Sequence, residues 1–199
     1  MIKSPDRFEA AIADMDALNA RDPRLVSCED GQQPGELVYA RRMSECLSSL
    51  YPAASETLRL AARAQHICRW EVPRSHYPQG RAGYNAWRKA CREHHAGLAS
   101  KILRSHGYEE EQITEVSKCI RKEDLKRDPD SQALENVAAI VFAKHYLGDF
   151  AAAHPEYDEE KLLDILRKTI RKMDHKGREA LAHLPLPGGL RRYVEIALQ

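Results

Sequence analysis

Between Arg63 and Arg92 the chain carries seven basic residues (Arg63, Arg69, Arg74, Arg81, Arg88, Lys89 and Arg92) against one acid, Glu71. Guanidinium forks bind phosphate or carboxylate bidentately, and the interleaved aromatics Trp70, Tyr77, Tyr84 and Trp87 offer faces on which a base or a guanidinium can stack. Such a segment suits a phosphorylated small molecule or a nucleotide. Charge runs more often decorate solvated helix faces. The ligand reading gains weight here because basic and aromatic residues crowd into one irregular stretch, EVPRSHYPQGRAGY, where two prolines and two glycines preclude regular helix. Arg69, Arg74 and Arg81 are the first candidates for a phosphate clamp. Arg88 joins them, with Lys122 and Lys126 from the later segment RKEDLKRDPD, which leads into an apolar helix and equally suits a plain solvated turn.

His66 follows an apolar run and precedes Arg69 and Trp70 by about one helical turn. A lone inward histidine is usually a core residue, but His94-His95 on the next long helix can bring a second imidazole to the same cleft. Neighbouring helical residues point about 100° apart, so one of that pair faces inward. Glu135, near the start of the most apolar helix, or Asp149, near its end, could add a carboxylate; acids near a helix N-terminus are favoured on charge grounds anyway. Fourteen residues separate the two acids, about 21 Å along a continuous helix, so they cannot share one ion. Glu135 is the better candidate on burial. No GxxxxGK[ST], GxGxxG, GxSxG or HExxH motif is present, which removes those enzyme classes.

The elements that must position these groups read as helices. Phe8, Ile12, Met15 and Leu18 mark a first helix over about 4–20, opened by Ser4-Pro5-Asp6. A loop follows through RDPRLVSCEDGQQPGE, then a stripe of Leu37, Val38, Met43, Leu47 and Leu50 that ends at Tyr51-Pro52. A third helix starts near Ser55 and stops before Pro73; further helices are expected over about 84–106, 109–121 and 159–173. Asp130 or Ser131 should cap ALENVAAIVFAKHYLGDF at the centre of the bundle, and a short helix follows PLPGG. No alternating strand pattern stands out, so the expected class is all-α, a bundle of about seven to eight helices forming one domain over residues 1–199.

Composition sets the outer limits. Thirty-one Lys and Arg balance 30 Asp and Glu, for a net charge of +1, which argues against whole-surface attraction to nucleic acid or membrane. Any basic site is local. Five scattered cysteines without a CxxC pair suggest reduced thiols. The absence of an apolar leader or of a stretch of about 18 apolar residues points to a cytoplasmic protein that does not enter the membrane.

In order, ELVYARRM, LRLAARAQHICRW, EVPRSHYPQGRAGYNAWR, EHHAGLASKIL, GYEEEQI, LKRDPDSQALENVAAIVFAKHY and KLLDILRKTIRKM resemble an uncharacterised bacterial and fungal family known as DUF4202, over nearly the whole chain. More distantly, LRLAARAQHI resembles the His-Asp helix of HD-domain phosphohydrolases, EHHAGLASKILRSHGY their next His-led helix, and LENVAAIVF their closing acidic helix. That resemblance implies an HD-like core over about 35–150 with C-terminal helices, 157–199, against it. The departures are specific: His66 is followed by Ile67, Tyr39 stands where the first His is expected, and the closing acid is Glu135 or Asn136. The resemblance therefore implies at most one divalent ion (Mn, Mg, Zn or Fe) on His66, His95 and Glu135, serving a phosphohydrolase that acts on a nucleotide or another phosphate ester. The alternative is a degenerate member that binds a nucleotide, a phosphorylated ligand or an RNA element without catalysis. A protein-interaction scaffold, argued from the charged faces between Tyr157 and Lys172, ranks third. Oligomeric state is not legible in the sequence.

Overall fold

The computed structural model describes residues 6–28 and 31–199. These form ten α-helices, two single-turn 3-10 helices and one short hairpin, so the all-α class holds. The first helix, α1 (Arg7–Asn19), starts later than the sequence suggests: Asp6 is its N-cap, accepting from the Glu9 N–H at 2.9 Å. The proposed cap Ser4 and Pro5 lie outside the described residues. The expected loop between helices contains β1 (Leu25–Cys28) and β2 (Gly31–Pro34), antiparallel with Leu25 opposite Pro34 and Val26 opposite Gln33. Four-residue strands with Gln on β2 carry too few apolar positions to show a period-2 pattern.

Helix α2 (Gly35–Leu50) buries Leu37, Val38, Met43 and Leu47 as expected, and with them Glu36 and Tyr39. Its first turn is tied to the preceding loop, where the buried Asp22 carboxylate accepts from both the Arg24 and Glu36 N–H groups. Helix α3 (Glu56–Ala64) is capped by the Ser55 hydroxyl, which accepts from the Leu58 N–H. It ends about two turns short of Pro73, correcting the longer helix expected there. The break has a local cause: Cys68 takes left-handed φ 51°, and its N–H donates to the side-chain oxygen of buried Asn19 at 3.1 Å instead of to the helix ladder. Two 3-10 turns, Arg69–Glu71 and Arg74–His76, then carry the chain past Pro73.

Helix α4 (Gly80–Ser105) begins four residues before the expected start at Tyr84. Gly83 allows this early start, because a Cβ there would lie 1.9 Å from the Pro78 carbonyl oxygen. Helix α5 (Glu110–Arg121) follows the expected bounds, and the Gln112 side chain returns to the Glu109 N–H. The cap of α6 (Pro129–His145) is Asp128, not Asp130 or Ser131; it accepts from the Ser131 N–H, with Pro129 in the first turn. The expected single helix to Phe150 breaks at Tyr146, and α7 (Leu147–Ala152) follows. The C-terminal part holds α8 (Glu159–Ile170), α9 (His175–Ala182) and α10 (Gly188–Leu198).

Eleven of the 17 residues of α6 are buried, which makes it the axis of the molecule. Leu134, Val137 and Val141 face a core built with α1 to α5. Ala139, Ile140 and Ala143 face a second core with Leu163, Leu166 and Val194 from α8 and α10. Asn136 joins the two sides: its amide nitrogen donates to the Tyr51 hydroxyl (2.8 Å) and Asp174 Oδ1 (2.7 Å), and its oxygen accepts from Gln132 and the Asp174 N–H. All four of its hydrogen-bonding positions are thus filled, so Asn136 is a structural staple. Among the described residues no helix is long and apolar enough to cross a membrane.

Candidate functional site

The early end of α3 is what builds the site. Because α3 ends at Ala64 and the chain turns away through Cys68, the Ile67 carbonyl is free to accept from Nδ1 of His95 on α4, at 2.8 Å. A carbonyl only accepts, so Nδ1 carries the proton. Burial pushes the His95 pKa down to about 3, against the opposing pull of that hydrogen bond, and the ring is neutral. The other nitrogen, Nε2, is then a bare lone pair; it is buried and has no hydrogen-bond partner among the described residues.

His66, in the turn after α3, lies on the same face, its ring centroid 5.8 Å from that of His95. It stacks on Tyr39 of α2, with centroids 4.1 Å apart and planes 11° apart. Arg69 Nη1 approaches its Nε2 at 2.7 Å, and Glu36 Oε2 lies 3.7 Å from its Nδ1. Burial, reinforced by Arg69, His95, Lys122 and Arg88, holds the imidazole well below the usual histidine range. Glu36 is nearly inaccessible, and burial pushes its carboxyl up to about 7 despite Arg69 and Arg24. Its Oε2 has no hydrogen-bond partner among the described residues.

Glu135 of α6 is occupied otherwise. It forms an ion pair with Lys122, whose left-handed φ of 59° at the end of α5 turns the ammonium inward, and lies 3.8 Å from Lys172. Burial disfavours the Glu135 carboxylate, but Lys122, Lys172 and Arg88 outweigh it and hold its pKa below the ordinary value. Lys172 shows the converse. Its ammonium is destabilised by burial and by Arg88, Lys122 and Arg92, and Glu135 does not fully compensate.

The remaining candidates divide. Arg69 lies over the Trp87 ring, 4.8 Å from its centroid, and Arg88 over Tyr84 at 5.8 Å. Arg74 is engaged by backbone, donating to the Tyr77 and Pro78 carbonyls at 2.8 and 2.9 Å, so it shapes the loop. Trp70 packs against the first core and Tyr77 is half-buried. Arg81 and Lys126 are exposed, and Tyr84 is an exposed aromatic 5.7 Å from Trp87. His94 turns to Glu71 at 3.3 Å, leaving His95 as the inward member of the pair. Asp149 is exposed on α7, beyond the break in the helix.

The structure therefore brings His66, His95, Arg69, Arg88 and Lys122 into one neighbourhood. Tyr39, which stands where the HD-domain resemblance expects a histidine, joins them by stacking on His66. Glu36 and Lys172 are functional candidates that sequence reasoning missed. Glu36 sits at i−3 from Tyr39, on the same helix face. Among the described residues no three His, Cys, Asp or Glu side chains are grouped so as to hold a metal ion. No curated protein and no solved structure matches the sequence significantly. The family model for a domain of unknown function, DUF4202, matches residues 9–194, and the chain belongs to that family.

Proposed function

We propose that the chain binds a phosphorylated small molecule where Arg69, Arg88, Lys122 and Lys172 gather around His66 and Glu135, without a resident metal. The observation that carries this reading is a crowding of positive charge that a single carboxylate, Glu135, shared by Lys122 and Lys172, only partly relieves. Arg88, Lys122 and Arg92 all act on the Lys172 ammonium and destabilise it, while Glu135 supplies a partly offsetting carboxylate. A phosphoryl group placed among them relieves that repulsion and accepts charge-assisted hydrogen bonds. Side-chain exposures of 9% for Lys122 and 23% for His66 suit a small ligand better than an RNA element, which needs an open, stacked surface.

A metal-dependent phosphohydrolase asks His66, His95 and Glu135 to share one ion, and these residues fit that poorly. Arg69 stands against His66 Nε2, and Glu135 is committed to two lysines. Only the His95 lone pair favours it. Titration calorimetry with inorganic phosphate and a panel of nucleotides and sugar phosphates, in chelator and then with Mn²⁺, Mg²⁺, Zn²⁺ or Fe²⁺, tests the proposal. Binding in chelator, weakened by salt, is the expected result. Absence of binding by every phosphorylated compound, or binding and ester hydrolysis that require an ion, overturns it.

A further inference from the structure

Two buried acceptors beside the cationic cluster have no use in gripping a phosphoryl group. His95 Nε2 is fixed as a lone pair by the Nδ1 hydrogen bond to Ile67, and Glu36 Oε2 is buried without a partner among the described residues. His66 stands beside both, its ring 5.8 Å from that of His95 and its Nδ1 3.7 Å from Glu36 Oε2, beyond hydrogen-bond distance. Phosphate oxygens are repelled by the His95 lone pair, which has no proton to offer, and by Glu36 whenever its carboxyl is ionised. The atoms that suit them are donors. Arg69 and Arg24 already lie close enough to act on Glu36, so a ligand ammonium would add to a cationic site. A neutral hydroxyl donates without adding charge.

We infer that His95 Nε2 and Glu36 Oε2 read a ligand hydroxyl, so that the ligand is a hydroxyl-bearing phosphate ester of the sugar, polyol or nucleoside class. The inference rests on the phosphate-binding reading above and adds polarity to it. The phosphoryl group lies toward Arg69, Arg88 and Lys122, and the hydroxyl lies inward. Filling both acceptors also removes the cost of burying them unpaired, so a ligand that lacks the hydroxyl loses affinity although every phosphate contact is kept.

The experiment compares n-propyl phosphate with glycerol 3-phosphate and ribose 5-phosphate, and with inorganic phosphate, by calorimetry on the full chain. At least one hydroxylated ester is expected to bind at least about tenfold more tightly than n-propyl phosphate. In Glu36→Met and His95→Phe that preference shrinks toward parity while affinity for inorganic phosphate is kept. If His95→Phe fails to fold, the wild-type comparison and Glu36→Met decide. Equal affinity for n-propyl phosphate and both hydroxylated esters overturns the inference and leaves the phosphate reading standing. Failure of inorganic phosphate and all the esters to bind overturns the underlying reading and this inference with it.

Discussion

Arg69 Nη1 lies 2.7 Å from Nε2 of His66, with its guanidinium 4.8 Å from the centre of the Trp87 ring. The arginine is therefore held over the imidazole by an aromatic face, and its charge helps keep His66 neutral. Removing that charge in Arg69→Met should raise the His66 pKa, read by proton NMR of the ring resonances, and weaken phosphate binding by at least about tenfold. Unchanged binding would remove Arg69 from the site. Arg74→Met should behave differently, since Arg74 donates to the Tyr77 and Pro78 carbonyls: about 1–2 kcal/mol of stability is lost by urea unfolding, with little direct effect on affinity.

Lys122 and Glu135 form a buried pair, with side-chain exposures of 9% and 7%. Breaking such a pair leaves one charge buried alone, at a cost of about 3–5 kcal/mol. The two single variants should not be equivalent. In Lys122→Met the carboxylate keeps Lys172 at 3.8 Å, whereas Glu135→Met leaves the Lys122 and Lys172 ammonium groups to act on each other without a carboxylate between them. Glu135→Met should thus be the more destabilised, and the double variant should recover much of the loss. Urea melts of the three proteins check the order; equal losses in the two singles would count against Lys172 as a real partner.

Helical stripes made most of the bundle legible. Ile113, Val116 and Ile120 of α5 are all buried, as their spacing requires. That one member of His94-His95 faces inward is also legible, and it brings His95 to 5.8 Å from the His66 ring, although His66 lies in the turn after α3 and not on the longer helix expected there. Three features were not. The hairpin has strands of four residues, too short for a period. The end of α3 depends on Asn19, some 49 residues away, capturing the Cys68 N–H, which no local pattern reveals. Glu36 in the first turn of α2 reads as ordinary N-terminal charge placement, because only its tertiary surroundings bury it.

That burial makes Glu36 a determinant of stability against pH. Its carboxyl titrates near 7 when folded and near 4.5 when exposed, so the folded protein holds a proton that the unfolded chain has released. The stabilising contribution is complete below about pH 4.5 and is lost as pH rises through 7, amounting to roughly 3 kcal/mol. His95 acts in the opposite sense. Its depressed pKa gives stability that is present above about 6.5 and lost as pH falls toward 3. Comparing wild type with Glu36→Gln at each pH cancels the histidine contribution. The variant should gain on wild type steadily between pH 4.5 and 7, by chemical denaturation; a difference that stays flat across this window would show that Glu36 ionises normally.

Two glycines of α4 make a matched test of how the loop is seated. At Gly83 an added Cβ would lie 1.9 Å from the Pro78 carbonyl oxygen, a backbone atom that also accepts from Arg74. Gly83→Ala must therefore push the loop off the helix, at a cost of about 1–3 kcal/mol typical of overpacking, and loosen Arg74 with it. At Gly97 nothing lies within 4 Å of an added Cβ. There alanine gains helix propensity without a clash, and Gly97→Ala should be stabilising by up to about 1 kcal/mol. Opposite shifts in melting temperature are expected from the same substitution at two positions about four turns apart on one helix. If Gly83→Ala were as stable as Gly97→Ala, the loop would not be packed on the first turn of α4, and the seating of Arg74 and Arg69 that depends on it would have to be redrawn.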